Sequence, residues 1–256
     1  MADPRPRRTG PAAGLRTAAV WSTLAEVTHE RGDALGRPLR VLDIGGGSGG
    51  MAVPLAETGQ EVTVLDPSPD ALASLGRRAR ECGVQERVRG VQGDTDSLSC
   101  VLGEAAPFDL ICLHGTLELA DDPEATIAAV SALLADGGVL SLVVAQRLSA
   151  VLGRALAGEF DRAAAILSRP DGRWGEDDPG PRRYDRDAVV DLLTRHGLTV
   201  RTWHGVRIFS DHVPSALLDG DADRAALLDL EHLASHDADQ PLLAALGATV
   251  HVLATL

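Results

Sequence analysis

Hydrophobic positions along the chain alternate between two periods. Residues 13–31 set Leu15, Val20, Trp21, Leu24 and Val27 near helical spacing. From Leu39 an apolar run to Ile44 reads as a strand and ends in glycines. Met51–Thr58 then reads as a helix, Glu61–Leu65 as a strand ended by Asp66, and Ala71–Cys82 as a helix. Val88–Gln92 and Phe108–Leu113 are the third and fourth strands, the latter followed by His114. Pro123–Leu134 is a helix closed by Asp136-Gly137-Gly138, and Val139–Ala145 is a fifth strand. Strands alternating with helices at this spacing predict a parallel, doubly wound α/β sheet. Near-continuous apolar strands predict that helices cover both faces.

After residue 145 the rhythm changes. Leu148–Leu167 reads as helix. Ser168–Arg183, rich in Pro, Gly, Asp and Arg, reads as a loop long enough to act as a lid or a binding loop. A helix over Asp185–His196 is stopped by Gly197, a strand covers Leu198–His204, residues 222–236 are helical, and Val250–Ala254 is a last strand. Residues 1–12, dominated by Pro, Arg and Gly, are expected to be a disordered tail, with 13–256 forming a single domain.

Composition narrows the chemistry. The 24 basic residues are all arginine, so lysine Schiff-base or lysine-nucleophile chemistry is excluded. A formal charge of -13 argues against wide nucleic-acid contact, although a local arginine patch remains compatible with RNA. Cys82, Cys100 and Cys112 form no CxxC pair and read as reduced thiols. The basic N-terminus has no apolar stretch behind it and no run spans a membrane, so a cytoplasmic protein is expected. The histidines and cysteines show no metal-ligand spacing, so no metal is expected.

The strongest motif is the loop after the first strand, Asp43-Ile44-Gly45-Gly46-Gly47-Ser48-Gly49-Gly50. Its glycines let the backbone approach a ligand closely, and the helix behind presents free N–H groups. Gly45-x-Gly47-x-x-Gly50 also fits a dinucleotide fingerprint, so a nicotinamide oxidoreductase stays open on the loop alone. Asp43 tilts the balance. A carboxylate two positions before the first glycine attracts a ligand with a cationic amino group and repels a pyrophosphate. Asp66, 21 residues after Gly45 at the end of the second strand, stands where a carboxylate takes ribose hydroxyls in either case. Asp94, Thr95 and Asp96 follow the third strand, where short polar side chains meet an adenine edge, or simply form a solvated loop. His114 ends the fourth strand as a wall of the site, a general base, or a structural histidine. His204 and His251 read as structural.

The run Val41–Gly49 resembles the first motif of class I S-adenosylmethionine-dependent methyltransferases. Further stretches are similar to the bacterial SmtA/CmoM-like tRNA 5-carboxymethoxyuridine methyltransferases. These are Gly14-Leu15-Arg16 with Trp21, Leu113–Glu118, Gly137–Leu142, Glu159-Phe160-Asp161, Gly205–Phe209 with Asp211, and Leu228–Glu231. The resemblance implies a Rossmann-like, mostly parallel seven-stranded sheet with an antiparallel C-terminal strand and a helical lid insertion over about 146–184. It implies S-adenosyl-L-methionine as cofactor, held by Arg16, the Gly46-Gly47 backbone, Asp66, Thr95-Asp96 and His114, with Arg16 on the methionine carboxylate. Arg207 and Tyr184 become candidate substrate contacts, and no catalytic residue is assigned. The acceptor implied is an oxygen, a carboxylate on a tRNA uridine, with a small-molecule O- or N-acceptor as the alternative. The chain departs from that family in two places. The segment Arg169–Asp178 is close to neutral where relatives are lysine-rich, and Gly247-Ala248-Thr249 lacks a family arginine. Both changes remove positive charge where a phosphate backbone would lie.

Overall fold

The computed structural model describes residues 11–102, 107–218, 220–236 and 241–256, with side chains from Ala19 onward except at Ser215, His236 and Pro241. Helix α1 (Pro11–Leu35) leads into β1 (Arg40–Ile44), α2 (Ala52–Glu57), β2 (Glu61–Asp66), α3 (Pro69–Glu81), β3 (Val88–Gln92) and α4 (Leu98–Leu102). Then follow β4 (Phe108–His114), α5 (Pro123–Leu133) and β5 (Leu134–Ala145). The insertion contains α6 (Arg147–Leu156) and α7 (Phe160–Ser168). The chain returns through α8 (Arg186–Arg195), β6 (Thr199–Val206), α9 (Asp221–His236), α10 (Pro241–Ala244) and β7 (Thr249–Thr255).

The seven strands form one sheet in the order β3-β2-β1-β4-β5-β7-β6. All neighbours are parallel except at β7, which runs antiparallel to both β5 and β6. From β1 the chain winds outward through β2 and β3, then returns to the other side of β1 for β4. The reversal places a crevice at the carboxyl ends of β1 and β4, where ligands of such sheets sit. Ile44 pairs with Leu113, so Gly45 and His114 emerge side by side at that point.

Period-two alternation divides the strand side chains between two cores. Leu42, Ile44, Ile111, Leu113, Leu140 and Leu142 pack with Ile127 and Val130 of α5 and Val189 and Leu193 of α8. Val41, Val62, Val64, Leu110 and Val139 pack on the opposite face, against Val20, Leu24 and Val27 of α1 and Leu75 and Ala79 of α3. Local chemistry sets the helix starts. Ser68 and Asp122 accept from the N–H groups of Ala71 and Ala125 at 3.2 and 3.0 Å, each followed by a proline at the first helical position.

The fold matches the expected class, with differences in detail. The helix expected over Leu148–Leu167 is two helices, broken at Gly158 with φ 77°. The fifth strand starts at Leu134, not Val139; Leu134 pairs with Phe108 before the register shifts to Leu110 with Val139. That shift absorbs the Asp136-Gly137-Gly138 signal, which reads locally as a helix stop but lies within a paired strand. Helices α4 and α10 are too short for periodicity to reveal. α1 begins at Pro11, and residues 1–10 of the expected tail lie outside the described residues.

Candidate functional site

The site begins with a buried acid. Asp43, on β1, is 3% exposed and lies beneath the glycine loop. Its Oδ2 is buried and, among the described residues, has no hydrogen-bond partner. Burial, and secondarily the charge of Asp66, pushes its carboxyl up to about 7. Gly46 makes the position possible, because a β-carbon there would lie 2.6 Å from Asp43 Cγ. Gly47 adopts φ 55° and meets only Asp66 Oδ2, at 3.8 Å from its ideal β-carbon position, so the loop backbone stays open toward the crevice.

Asp66 fixes that loop. Its Oδ2 accepts from Gly47 N–H at 2.8 Å and its Oδ1 from Ser68 N–H at 2.9 Å. A carboxylate has about four lone-pair sites, so two bonds leave capacity for ligand hydroxyls. Gly45 N–H donates to Leu65 C=O at 2.7 Å, which ties the loop to the end of β2. From the β4 side, Thr116 Oγ1 donates to Ile44 C=O at 3.0 Å.

After β3, Asp94 and Ser97 cap each other: Asp94 N–H donates to Ser97 Oγ at 2.8 Å, and Ser97 N–H to Asp94 Oδ1 at 3.0 Å. Hydrogen bonds from the Ser97 side chain and backbone N–H hold the Asp94 carboxyl below its usual range. Asp94 is therefore engaged in shaping the loop, while Thr95 is half-buried and Asp96 exposed.

His114 is half-buried, and its Nε2 lies 2.8 Å from Ser141 Oγ. Burial pulls its imidazole down to about 4, so it is neutral at neutral pH. Arg16 is on α1, but its side chain lies outside the described residues. Arg207 follows β6 with φ 59°, a left-handed conformation uncommon for arginine, and its Nε is 3.7 Å from Asp211 Oδ2. It lines a cavity of about 270 Å³ with Ala19 and Ser22 of α1 and Leu228 of α9, away from the glycine loop residues. Glu231, on the same cavity, accepts N–H bonds from Ile208, Phe209 and Ser210. Tyr184 is buried under the insertion; its hydroxyl donates to Leu117 C=O at 3.4 Å and its backbone bridges to Gln146.

A second concavity of about 550 Å³ opens at the carboxyl end of β5, between Gln146, Ser149, Arg154, Arg183, His212 and Ala248. Arg154, Arg162 and Arg183 gather round Trp174, 4.4, 5.1 and 5.6 Å from its ring centroid. Asp178 anchors this loop by pairing with Arg183 at 2.8 Å and accepting from Trp174 and Gly180 N–H groups. Sequence reading did not single out Trp174, and it reached Thr116 and Ser141 only within the stretches Leu113–Glu118 and Gly137–Leu142 that carry the family resemblance. Strand alternation places Ser141 on a definite face, but its neighbours come from cross-strand register, which a single sequence does not carry. Among the described residues no group of His, Cys, Asp and Glu could hold a metal ion, and no helix is long and apolar enough to cross a membrane.

The profile of a methyltransferase-domain family matches residues 17–202. The tRNA 5-carboxymethoxyuridine methyltransferase of Escherichia coli (strain K12) is 31% identical over 242 residues, covering 94% of this chain and 87% of that protein. A ubiquinone biosynthesis O-methyltransferase of Xanthomonas axonopodis pv. citri (strain 306) is 34% identical over 119 residues, 46% of this chain and 48% of that protein. Among solved structures, magnesium protoporphyrin IX methyltransferase from Synechocystis PCC 6803, with bound SAH, superposes with a TM-score of 0.58 at 14% identity, covering 98% of this chain and 90% of that one.

Proposed function

The chain belongs to the methyltransferase-domain family and uses S-adenosyl-L-methionine, and from that premise we propose that it methylates an anionic oxygen, the carboxylate of a modified tRNA uridine. The nicotinamide alternative is thereby set aside.

The residues present fit the cofactor. The unpartnered Oδ2 of buried Asp43 suits an ammonium group, and the open Gly47 backbone leaves room for it. Asp66 has lone pairs left for ribose hydroxyls after serving Gly47 and Ser68. Arg16 is assigned to the cofactor carboxylate, and the loop from Asp94 to Asp96 to the adenine edge. When bound, the sulfonium supplies an electrophilic methyl group. The protein's task is then to bring an acceptor oxygen in line and to exclude water. A carboxylate acceptor is already ionised near neutral pH, so no general base is required.

The observation that carries the acceptor reading is the concavity at the end of β5, which begins at Ala145, two residues beyond Val143, the partner of His114, and includes Arg154, paired with Glu159, and Arg183, paired with Asp178. Arginine is suited to planar anions such as carboxylate and phosphate. The likeness of 31% over 94% of the chain points to the same acceptor. Three unpaired cysteines fit a reducing compartment, so action in the cytoplasm is part of the proposal. A second reading, a small-molecule acceptor, is favoured by the charge of -13, which disfavours a long phosphate contact. To test the first, tRNA carrying carboxyl-modified uridine is incubated with the protein and methyl-labelled cofactor, then digested to nucleosides. The expected product is a base-labile methyl ester on uridine. Label absent from tRNA but present on a small carboxylic acid would transfer the assignment to the second reading.

A further inference from the structure

His114 is the crevice end of a hydrogen-bonded row that crosses four adjacent strands. His114 Nε2 is 2.8 Å from Ser141 Oγ, Ser141 Oγ is 2.7 Å from His251 Nε2, and His251 Nδ1 is 3.1 Å from His204 Nε2. The four residues stand on β4, β5, β7 and β6 in sheet order, on the face that packs against α1. Ser141 and His251 have no exposed surface and His204 is 6% exposed, so water does not compete for these bonds. The rings of His251 and His204 meet edge-on, with centroids 4.7 Å apart. Four polar residues in a row on an otherwise apolar sheet face are costly to bury unless each is satisfied, and here every one is.

A row of this kind has a direction. The Ser141 hydroxyl has one proton and two lone pairs, so it can donate to only one of the two histidines. Neutral imidazole likewise donates from one nitrogen and accepts at the other. A Ser141 hydroxyl that donates to His114 Nε2 therefore requires donation from His251 Nε2–H, and His251 Nδ1 then accepts from His204 Nε2–H.

We propose that Ser141, His251 and His204 are positioning residues that lock His114 as the neutral tautomer protonated on Nδ1, so that it presents an uncharged N–H donor to an anionic acceptor beside the transferring methyl group. This rests on the anionic-acceptor reading above. In this direction His204 Nε2–H donates to His251 Nδ1, His251 Nε2–H to Ser141 Oγ, and Ser141 O–H to His114 Nε2. An uncharged donor suits the reaction on two counts. An imidazolium would repel the sulfonium, and it would draw negative charge from the attacking oxygen. Burial supports the neutral state, holding both His114 and His251 below the usual histidine range. Charged and titratable neighbours on the same sheet face include Asp43 on β1, Asp66 on β2 and Cys112 on β4, whose thiol is pushed well up by burial.

Two measurements test the row. Nitrogen-15 histidine spectra of the cofactor-free full chain should show His114 as a single neutral tautomer protonated on Nδ1. In Ser141→Ala that signal should become a mixture, and in Ser141→Cys, which retains a weak donor, it should partly recover. Kinetically, Ser141→Ala should lower kcat by about 10- to 100-fold, by analogy with removal of a group that orients a metal-ligating histidine, with binding of S-adenosylhomocysteine changed less than about threefold. A His114 tautomer unaltered by Ser141→Ala, or protonated on Nε2 in the wild type, overturns the proposal. So does a kcat within twofold of wild type. The spectra need no acceptor, so failure to methylate any anionic acceptor sinks the functional reading separately.

Discussion

Gly46 lies so close over Asp43 that a β-carbon at residue 46 would come within 2.6 Å of the Asp43 Cγ. The loop therefore presses on a buried carboxylate from which water is excluded, and the missing side chain is what allows it. Gly46→Ala should displace either the loop or Asp43. It should cost about 1–3 kcal/mol of stability, as overpacking does, and weaken S-adenosylhomocysteine binding at least tenfold, both measurable by calorimetry.

Asp43 should make cofactor binding depend on pH. Its folded-state carboxyl sits at about 7, against about 3.9 in an unfolded chain. The folded cofactor-free protein thus holds a proton that the unfolded chain has lost. Stability from this group is full below about pH 4 and is lost as pH rises through 7. An ammonium beside Asp43 favours the ionised form, so binding at pH 6 should release close to one proton and at pH 8 almost none. Titration calorimetry in two buffers of different ionisation enthalpy reads this directly. Identical heats in both buffers at pH 6 would show that no ammonium meets Asp43. Asp43→Asn should remove the pH dependence.

Asp66 joins three functions in one carboxylate, so its variants should separate. Asp66→Ala frees the N–H groups of both Gly47 and Ser68 and removes the carboxylate proposed for the sugar hydroxyls. Each bond to a charged group contributes about 1.5–3 kcal/mol, so affinity for S-adenosylhomocysteine should fall by at least 100-fold. Asp66→Asn keeps one acceptor oxygen and should lose less. Equal losses in the two variants would mean that the loop bonds, and not the charge, carry little of the binding.

The loop around Trp174 depends on a buried ion pair. Asp178 and Arg183 are 0% and 10% exposed at the side chain, and Asp178 also accepts two backbone N–H groups. Asp178→Ala leaves Arg183 buried without its partner, a change that costs about 3–5 kcal/mol when a buried pair is broken. The loss should appear locally, as faster proteolysis within residues 169–183, while cofactor affinity changes little. Proteolysis at the wild-type rate would show that the loop is held by its arginine-tryptophan contacts instead.

The geometry of the glycine-loop half of the sheet was legible in the sequence because its signals are local. The β1 pattern, the glycines and Asp66 follow one another within two dozen residues, and their geometry follows from strand ends and turns. The seven strands could be read from apolar runs for the same reason. The Ser141–His251 contact spans 110 residues and exists only because β7 enters antiparallel beside β5. His204 and His251 therefore read as ordinary core histidines, and Ser141 gave no signal of its own. The break at Gly158 was hidden because the apolar spacing continues through it. The extension of β5 to Leu134 was hidden because Asp-Gly-Gly serves equally as a helix stop and as a strand irregularity.

The backbone bridge between Gln146 and Tyr184 has a consequence for how this scaffold can diversify. Tyr184 N–H donates to Ala145 C=O at 2.9 Å and Arg147 N–H to Tyr184 C=O at 3.0 Å, so the two feet of the insertion are fastened together at the rim of the sheet. Everything between them is a closed excursion whose entropic cost grows only with the logarithm of its length. Evolution can lengthen, shorten or recharge that excursion without altering strand register below it. The insertion and the glycine loop are thereby free to change on separate schedules.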